Sequence, residues 1–237
     1  MTCLDSLNMH APVISVIGSG GKSTLLAALA REYAARGRTA ILATTTHFTA
    51  AEPGLPLVLG EAGDEVPRAL STHGAVYVGA PVAGTAGKLG PSPIPIARLS
   101  LLADHVIVEA DGSRCLPLKA HASHEPVIPA ETGRCLCLVG ASGFGRSVDK
   151  AVHRPELFCE WAGCGTHDVA TPALVARAMA EEARRGLIAP DAVIVNQAEG
   201  PARAQDAIDF SDALRRAGCA VPVFAGSVRE GRLKQIA

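Results

Sequence analysis

Glycines 18, 20 and 21 run directly into Lys22-Ser23-Thr24, and the chemistry this order suggests is capture of a polyphosphate. Glycine admits left-handed backbone angles and lets amide hydrogens approach an anion closely. A helix opening at the lysine would add its positive end and its unpaired amides. In that reading Gly18, Ser19, Gly20, Gly21, Lys22, Ser23 and Thr24 bind the phosphates of ATP or GTP. Lys22 neutralises charge on the transferred group and Ser23 holds Mg²⁺ through its hydroxyl. The strict pattern asks for glycine six residues before the lysine, where this chain has Val16. Two other readings compete. One is a GxGxxG dinucleotide fingerprint, against which stand Ser23 at its sixth position and Thr44-Thr45-Thr46 where a ribose-binding acid belongs. The other is a plain turn carrying a solvated lysine.

Further candidates fall where apolar runs end. In "VIVEADGSR", Glu109 and Asp111 share a face by the period of two and stand where a Walker-B carboxylate would, as Mg²⁺ and catalytic residues. A chance pair of acids in a turn is the alternative, since Asp-Gly-Ser is good turn chemistry. Thr44-Thr45-Thr46-His47, with Thr46 and His47 as the binding candidates, offers hydroxyls to a hydrated Mg²⁺ or phosphate, or forms an ordinary β-branched strand end with a surface His. Asn196, followed by Gln197 and Glu199, is similar to the Asn-Lys-x-Asp element with which GTP-binding proteins read guanine, but the lysine and aspartate are replaced; a turn with incidental polar residues is the alternative, and the base stays open. Arg154 is the strongest candidate for an anion clamp, because a guanidinium binds planar anions through two hydrogen bonds. Lys119, His121, His124, Glu125 and His153 are polar without periodic reason.

The elements that must position these residues are legible. Val/Ile-rich runs at 13–17, 39–43, 75–79, 105–109, 135–139, 192–196 and 221–225 alternate with helical patterns, which predicts parallel strands covered on both faces. The fold class expected is α/β, a doubly wound, mostly parallel sheet in a three-layer sandwich similar to P-loop NTPases. Leu25, Leu26, Leu29 and Tyr33 recur at helical spacing before Gly37. Thr171-Pro172 opens a helix running to about Arg185, and another spans about 202–217 before Gly218. Residues 80–95 read as a Gly/Pro-rich loop or lid, and 110–133 as a long polar connection. One domain over 1–237 is expected, with 1–11 as an N-terminus without fixed structure.

Composition narrows the partners. With 22 Lys+Arg against 23 Asp+Glu and a net charge of -1, the chain lacks the basic field that holds nucleic acid. Aromatics at 3% leave few rings for base stacking. A start without a basic segment and the lack of a long apolar run point to a cytoplasmic protein without a membrane partner. Seven cysteines, an odd number without disulfide-domain rhythm, are expected as thiols. Cys135 and Cys137 alternate on one strand face, and Cys159, Cys164 and His167 have loosely zinc-like spacing without a second pair.

Taken together, "GSGGKST", "ATTTHF", "VEADGSRCLPLKA", "HEPVIP" and "VHRPE" resemble the YqeC family of accessory proteins for selenium-dependent molybdenum hydroxylases. The loop is also similar to the Gly-Thr-x-Gly-Lys-Thr loop of Mur-type ligases, a P-loop variant without the first glycine, which answers the objection raised by Val16. The resemblance implies a nucleotide-binding protein that assists maturation of such a hydroxylase, with the hydroxylase or a cofactor-loading protein as partner. It carries Gly20, Gly21, Lys22, Ser23 and Thr24 over as phosphate-binding positions, and Glu109, Asp111, Lys119, His153 and Arg154 without assigned roles. The chain departs from the family pattern at Cys115, where glycine is expected, and at His121, where proline is common. NTP hydrolysis or phosphoryl transfer leads; a non-catalytic nucleotide switch and a Mur-like ligase are the alternatives. Lys22→Ala is expected to abolish nucleotide binding with little loss of fold.

Overall fold

The computed structural model describes residues 2–7, 9–49, 54–60, 64–84 and 88–237. The chain forms two compact units, one of Met1–Val16, Lys22–Gly112 and Val127–Cys135, the other of Ile17–Gly21, Ser113–Pro126 and Leu136–Ala237.

The first unit contains α1 (Cys3–Leu7), β1 (Val13–Gly18, whose last two residues belong to the second unit), α2 (Lys22–Ala35), β2 (Ala40–Thr44), β3 (Phe48–Thr49) and β4 (Leu57–Leu59). It continues with α3 (Glu65–His73), β5 (Ala75–Pro81), β6 (Lys88–Gly90), α4 (Ile96–Leu99) and β7 (His105–Glu109). Parallel β1 and β2 flank β7, so that Val16 and Thr44 both stand opposite Glu109. Parallel β5 follows β2, β4 pairs with β5, and antiparallel β6 and β3 extend from β5. Every residue of β1, β2 and β7 is buried, as continuous apolar runs in a doubly covered sheet require. Val13, Ile41, Val76, Val106 and Val108 form the core with Leu70 and Leu99. Leu25, Leu26, Leu29 and Tyr33 give α2 its buried stripe, and the Gly37 amide closes its end on the Ala34 carbonyl at 3.0 Å.

The second unit contains β8 (Leu118–Lys119), β9 (Arg134–Gly140, whose first two residues belong to the first unit), α5 (Val148–Ala151), β10 (Val152–His153) and α6 (Pro155–Ala162). Then come α7 (Pro172–Arg184), β11 (Ala192–Asn196), α8 (Pro201–Arg216), β12 (Val223–Ser227) and β13 (Arg232–Gln235). Strands β9, β11 and β12 are parallel and β13 is antiparallel to β12, while β8 and β10 make a separate parallel pair. Helix α7 starts as predicted, with the Thr171 hydroxyl accepting the Leu174 amide at 3.3 Å and Pro172 in the first turn.

The class is therefore α/β with a mostly parallel sheet. Four segments differ from the sequence reading. Residues 3–7, expected to lack fixed structure, form α1, with Cys3, Leu4 and Leu7 buried and the Cys3 and Leu4 amides donating to the Glu32 carboxylate at 3.0 and 2.7 Å. The expected loop at 80–95 contains β6, held against β5 by the pairing of Ala80 with Gly90; residues 85–87 of that loop lie outside the described residues. The connection 110–133 holds β8, which the parallel partner β10 draws into order. The last parallel strand begins at Val223 rather than 221, because Pro222 has no amide to donate and only its carbonyl serves the ladder, accepting from Val193 at 2.9 Å. Among the described residues no helix is long and apolar enough to cross a membrane.

Candidate phosphate and metal site

The glycine loop has a backbone that side chains would not permit. Gly20 has φ 90°, and a Cβ there would lie 2.3 Å from the Gly140 Cα; Gly21 has φ 123°, and its Cβ would lie 2.4 Å from the Asn196 Nδ2. The Ser19 amide donates to the Leu138 carbonyl at 3.0 Å, and Asn196 Nδ2 donates to the Gly20 carbonyl at 2.8 Å. Among the described residues the amides of Gly20 and Gly21 donate to no acceptor. A glycine loop anchored through a carbonyl, with successive amides left over, is the pattern of backbone anion nests. Asn196, raised as a base reader, is buried at the end of β11, and its Oδ1 accepts the Val228 amide at 2.9 Å. Its side chain thus ties the loop to the segment after β12. The Ser19 hydroxyl is buried without a hydrogen-bond partner among the described residues. Ser19 lines a cavity of about 20 Å³ together with His121, Cys137 and Glu182.

Lys22 and Ser23 open α2, and Glu109 ends β7, within the first unit. The Lys22 Nζ lies 3.1 Å from Asp111 Oδ1 and 3.7 Å from Glu109 Oε1, and the Ser23 hydroxyl donates to Glu109 Oε2 at 3.0 Å. The structure thus brings together Lys22, Ser23, Glu109 and Asp111, four of the residues predicted for phosphate, metal and catalysis, whereas Arg154, also predicted as catalytic, pairs with Glu125. The Lys22, Glu109 and Asp111 side chains are 2%, 8% and 0% exposed. Burial, the largest influence, raises the Glu109 carboxyl above its ordinary range, and the Asp111 charge adds to the rise; Lys22 and Ser23 pull against it. Within the Thr44–His47 stretch the Thr44 hydroxyl serves this strand end, donating to the Glu109 carbonyl at 2.8 Å and accepting the Thr46 amide at 3.0 Å. His47 is exposed, and Thr24 is half-buried in the first turn of α2.

Among the described residues no group of three or more His, Cys, Asp and Glu side chains could hold a metal ion alone. One hydroxyl and two carboxylates nevertheless suit Mg²⁺, which takes few protein oxygens and fills its octahedron with phosphate and water.

Arg154 lies in the second unit with a left-handed φ of 66° at the start of α6. Its guanidinium holds Glu125, donates to the Ala120 carbonyl at 3.2 Å and approaches His124 Nε2 at 3.4 Å. Lys119 Nζ reaches the same Glu125 at 2.6 Å, both side chains being almost fully buried. Burial alone would raise the Glu125 carboxyl, but Arg154 and Lys119 outweigh it and hold it below the usual range. Nearby, burial and then Arg154 and Lys119 push His153 down to about 4. Sequence reasoning found Arg154 without its partner. It also missed a buried pair, in which Glu182 accepts the His121 amide at 3.0 Å and faces His121 Nδ1 at 2.8 Å. A signal existed: Val175, Ala178, Met179 and Glu182 share the buried stripe of α7 at helical spacing.

The sequence matches the profile of the YqeC protein family over residues 14–156. It is 35% identical over 155 residues to "Uncharacterized protein YqeC" of Escherichia coli (strain K12), covering 64% of this chain and 60% of that relative. The match thus spans less than two thirds of the relative's length. Among solved structures, the signal recognition particle receptor FtsY from Elizabethkingia anophelis in complex with GDP aligns with TM-score 0.49 and 16% identity, over 97% of this chain and 61% of that one. Cell division protein FtsY from Thermotoga maritima aligns with TM-score 0.48 and 16% identity, over 96% and 65%.

Proposed function

The chain belongs to the YqeC family, and from that premise we propose that it is a Mg²⁺-dependent nucleoside triphosphate-binding protein that hydrolyses or transfers the γ-phosphoryl group while assisting maturation of a selenium-dependent molybdenum hydroxylase. The observation that carries the nucleotide part is the Lys22 ammonium held by Asp111 and Glu109 with Ser23 on the same glutamate. In this reading the amides of Gly20 and Gly21 take phosphate oxygens. Lys22 turns from the carboxylates to the outer phosphates. Ser23, Glu109 and Asp111 would hold Mg²⁺, which supplies positive charge for the transferred group. One of the two carboxylates would serve the metal while the other orients the attacking hydroxyl or water. Arg154, occupied by Glu125 and the Ala120 carbonyl, contributes by holding the 120–125 segment.

Guanine is the base this reading favours. Glu199 follows the loop-holding Asn196 by three residues, is exposed, and receives a hydrogen bond from Ser227, which with Arg203 and Arg229 holds its carboxyl below the usual range. A carboxylate only accepts hydrogen bonds when ionised, and guanine presents two adjacent donors, N1–H and the N2 amino group. Adenine presents one donor beside an acceptor, which a carboxylate repels.

Fluorescent GTP and ATP analogues titrated with Mg²⁺ test the proposal. The expected result is GTP binding that Lys22→Gln abolishes while circular dichroism stays native. Glu199→Gln should move preference from GTP to xanthosine triphosphate. Absence of binding by both nucleotides up to millimolar concentration ends the nucleotide reading, and equal affinity for ATP and GTP ends the guanine assignment alone. Phosphate release by the purified chain, against none until a partner is added, separates a hydrolase from a switch.

A further inference from the structure

Helix α6 ends in a turn that brings two thiols together. Gly163 takes the left-handed conformation at φ 65°, and its amide and that of Cys164 both donate to the Cys159 carbonyl, at 2.8 and 3.2 Å. In helix ends of this kind the second residue past the helix meets a side chain of the last turn, a contact commonly made by two apolar residues. Here those positions are cysteines, with Sγ atoms 3.7 Å apart and the Cys164 thiol donating to the Cys159 sulfur. Cys159 is 9% exposed and Cys164 is half-buried, so Cys164 is the more accessible residue of the pair. The zinc-like spacing noted in the sequence does not assemble, because the His167 side chain is 90% exposed, with its Nδ1 3.9 Å from Asp149.

We propose that Cys159 and Cys164 form an oxidisable dithiol that exchanges with a small-molecule disulfide, such as oxidised glutathione, to close an intramolecular disulfide across the end of α6. The Cys164 thiolate attacks one sulfur of oxidised glutathione, forming a mixed disulfide and expelling one glutathione thiolate. Cys159 then loses its proton and attacks the Cys164 sulfur, expelling the second glutathione thiolate. Two protein thiols and one oxidised glutathione thus become one protein disulfide and two reduced glutathiones. Two electrons pass to glutathione, and the two thiol protons end on its sulfurs. The sulfurs must close from 3.7 Å to about 2.05 Å, a side-chain adjustment at a turn whose backbone bonds are already made. Burial, with the Asp168 and Glu156 charges adding to it, raises the Cys159 thiol to about 11, and together with its lower exposure this makes Cys159 the second attacker and not the first.

The test incubates the reduced full chain with oxidised glutathione, quenches with an alkylating agent and reads intact and peptide masses. The wild type should lose two hydrogens, retain no glutathione at either position and yield a Cys159–Cys164 cross-link. Cys159→Ser should stop at a glutathione adduct on Cys164 that outlives the wild-type adduct at least about a hundredfold, because the resolving thiol is intramolecular. Cys164→Ser should leave Cys159 as a free thiol. A stable wild-type adduct on Cys164 overturns the proposal, as does Cys159 reacting in Cys164→Ser as fast as Cys164 does in Cys159→Ser. Circular dichroism of both serine variants, each close to cysteine in size, guards against misfolding as the cause.

Discussion

Asn196→Ala is the sharpest perturbation of the glycine loop that leaves the loop's own residues in place. The side chain makes two hydrogen bonds, to the Gly20 carbonyl at 2.8 Å and from the Val228 amide at 2.9 Å, and all three residues are buried. Truncation strands a carbonyl and an amide away from water, at about 1–3 kcal/mol each, so the expected loss is about 2–6 kcal/mol. Against a total stability of about 5–15 kcal/mol this is a large fraction, readable as a lowered urea midpoint by circular dichroism. Asn196→Asp adds a sign. The carboxylate still accepts from Val228 but sets an oxygen against the Gly20 carbonyl, and burial raises its folded pKa above the unfolded value of about 3.9. Its destabilisation is therefore full at neutral pH and shrinks as pH falls through the folded value, where the protonated acid can donate to Gly20. A loss under about 1 kcal/mol for the alanine variant, or a pH-independent difference between Asn196→Asp and wild type, refutes the role given to this clamp.

The other predictions concern buried charge. Lys22→Ala should abolish nucleotide binding and also cost about 3–5 kcal/mol by urea titration, because it leaves the buried Glu109 and Asp111 without their cation; this revises the sequence-based expectation of little loss of fold. Adding Asp111→Asn to that variant should return part of the loss, the coupling being read by a double-mutant cycle. Glu182→Ala should remove both hydrogen bonds that Glu182 makes with His121, at about 1–3 kcal/mol, and speed hydrogen exchange at the His121 amide. By NMR the His153 imidazole should stay neutral down to about pH 4. Its folded value lies below the unfolded value of about 6.5, so the unfolded chain binds the proton first. Stability from this group is complete above pH 6.5 and falls as pH drops toward 4. His153→Asn should flatten that slope, and a His153 titrating near 6.5 would contradict its burial beside the Arg154 and Lys119 cations as the cause.

Strand positions were legible because each run is mostly apolar and bounded by turn residues, and His105–Glu109 falls where the pattern put it while Val13–Gly18 runs one residue past it. The Lys22, Ser23, Glu109 and Asp111 cluster was legible for a related reason: residues at the carboxyl ends of neighbouring parallel strands converge. Lys119, Glu125 and Arg154 were not, since their meeting depends on two two-residue strands, Leu118–Lys119 and Val152–His153, too short to leave a periodic trace. Glu182 was passed over because glutamate beside Glu181, Arg184 and Arg185 looks like a solvated helix face; only its helical phase with Val175 and Met179 gives it away. The oxidisable pair could have been read from "CEWAGC", had the glycine been taken as a helix end that folds its flanks together.

The polypeptide passes from one contact unit to the other at five peptide bonds, after Val16, Gly21, Gly112, Pro126 and Cys135. No single cut can release either unit as a continuous piece, and a protease nick at any one of these junctions leaves four covalent ties intact. Truncation is consequently a poor tool for assigning activity in this protein, and point substitution is the means of dissecting it.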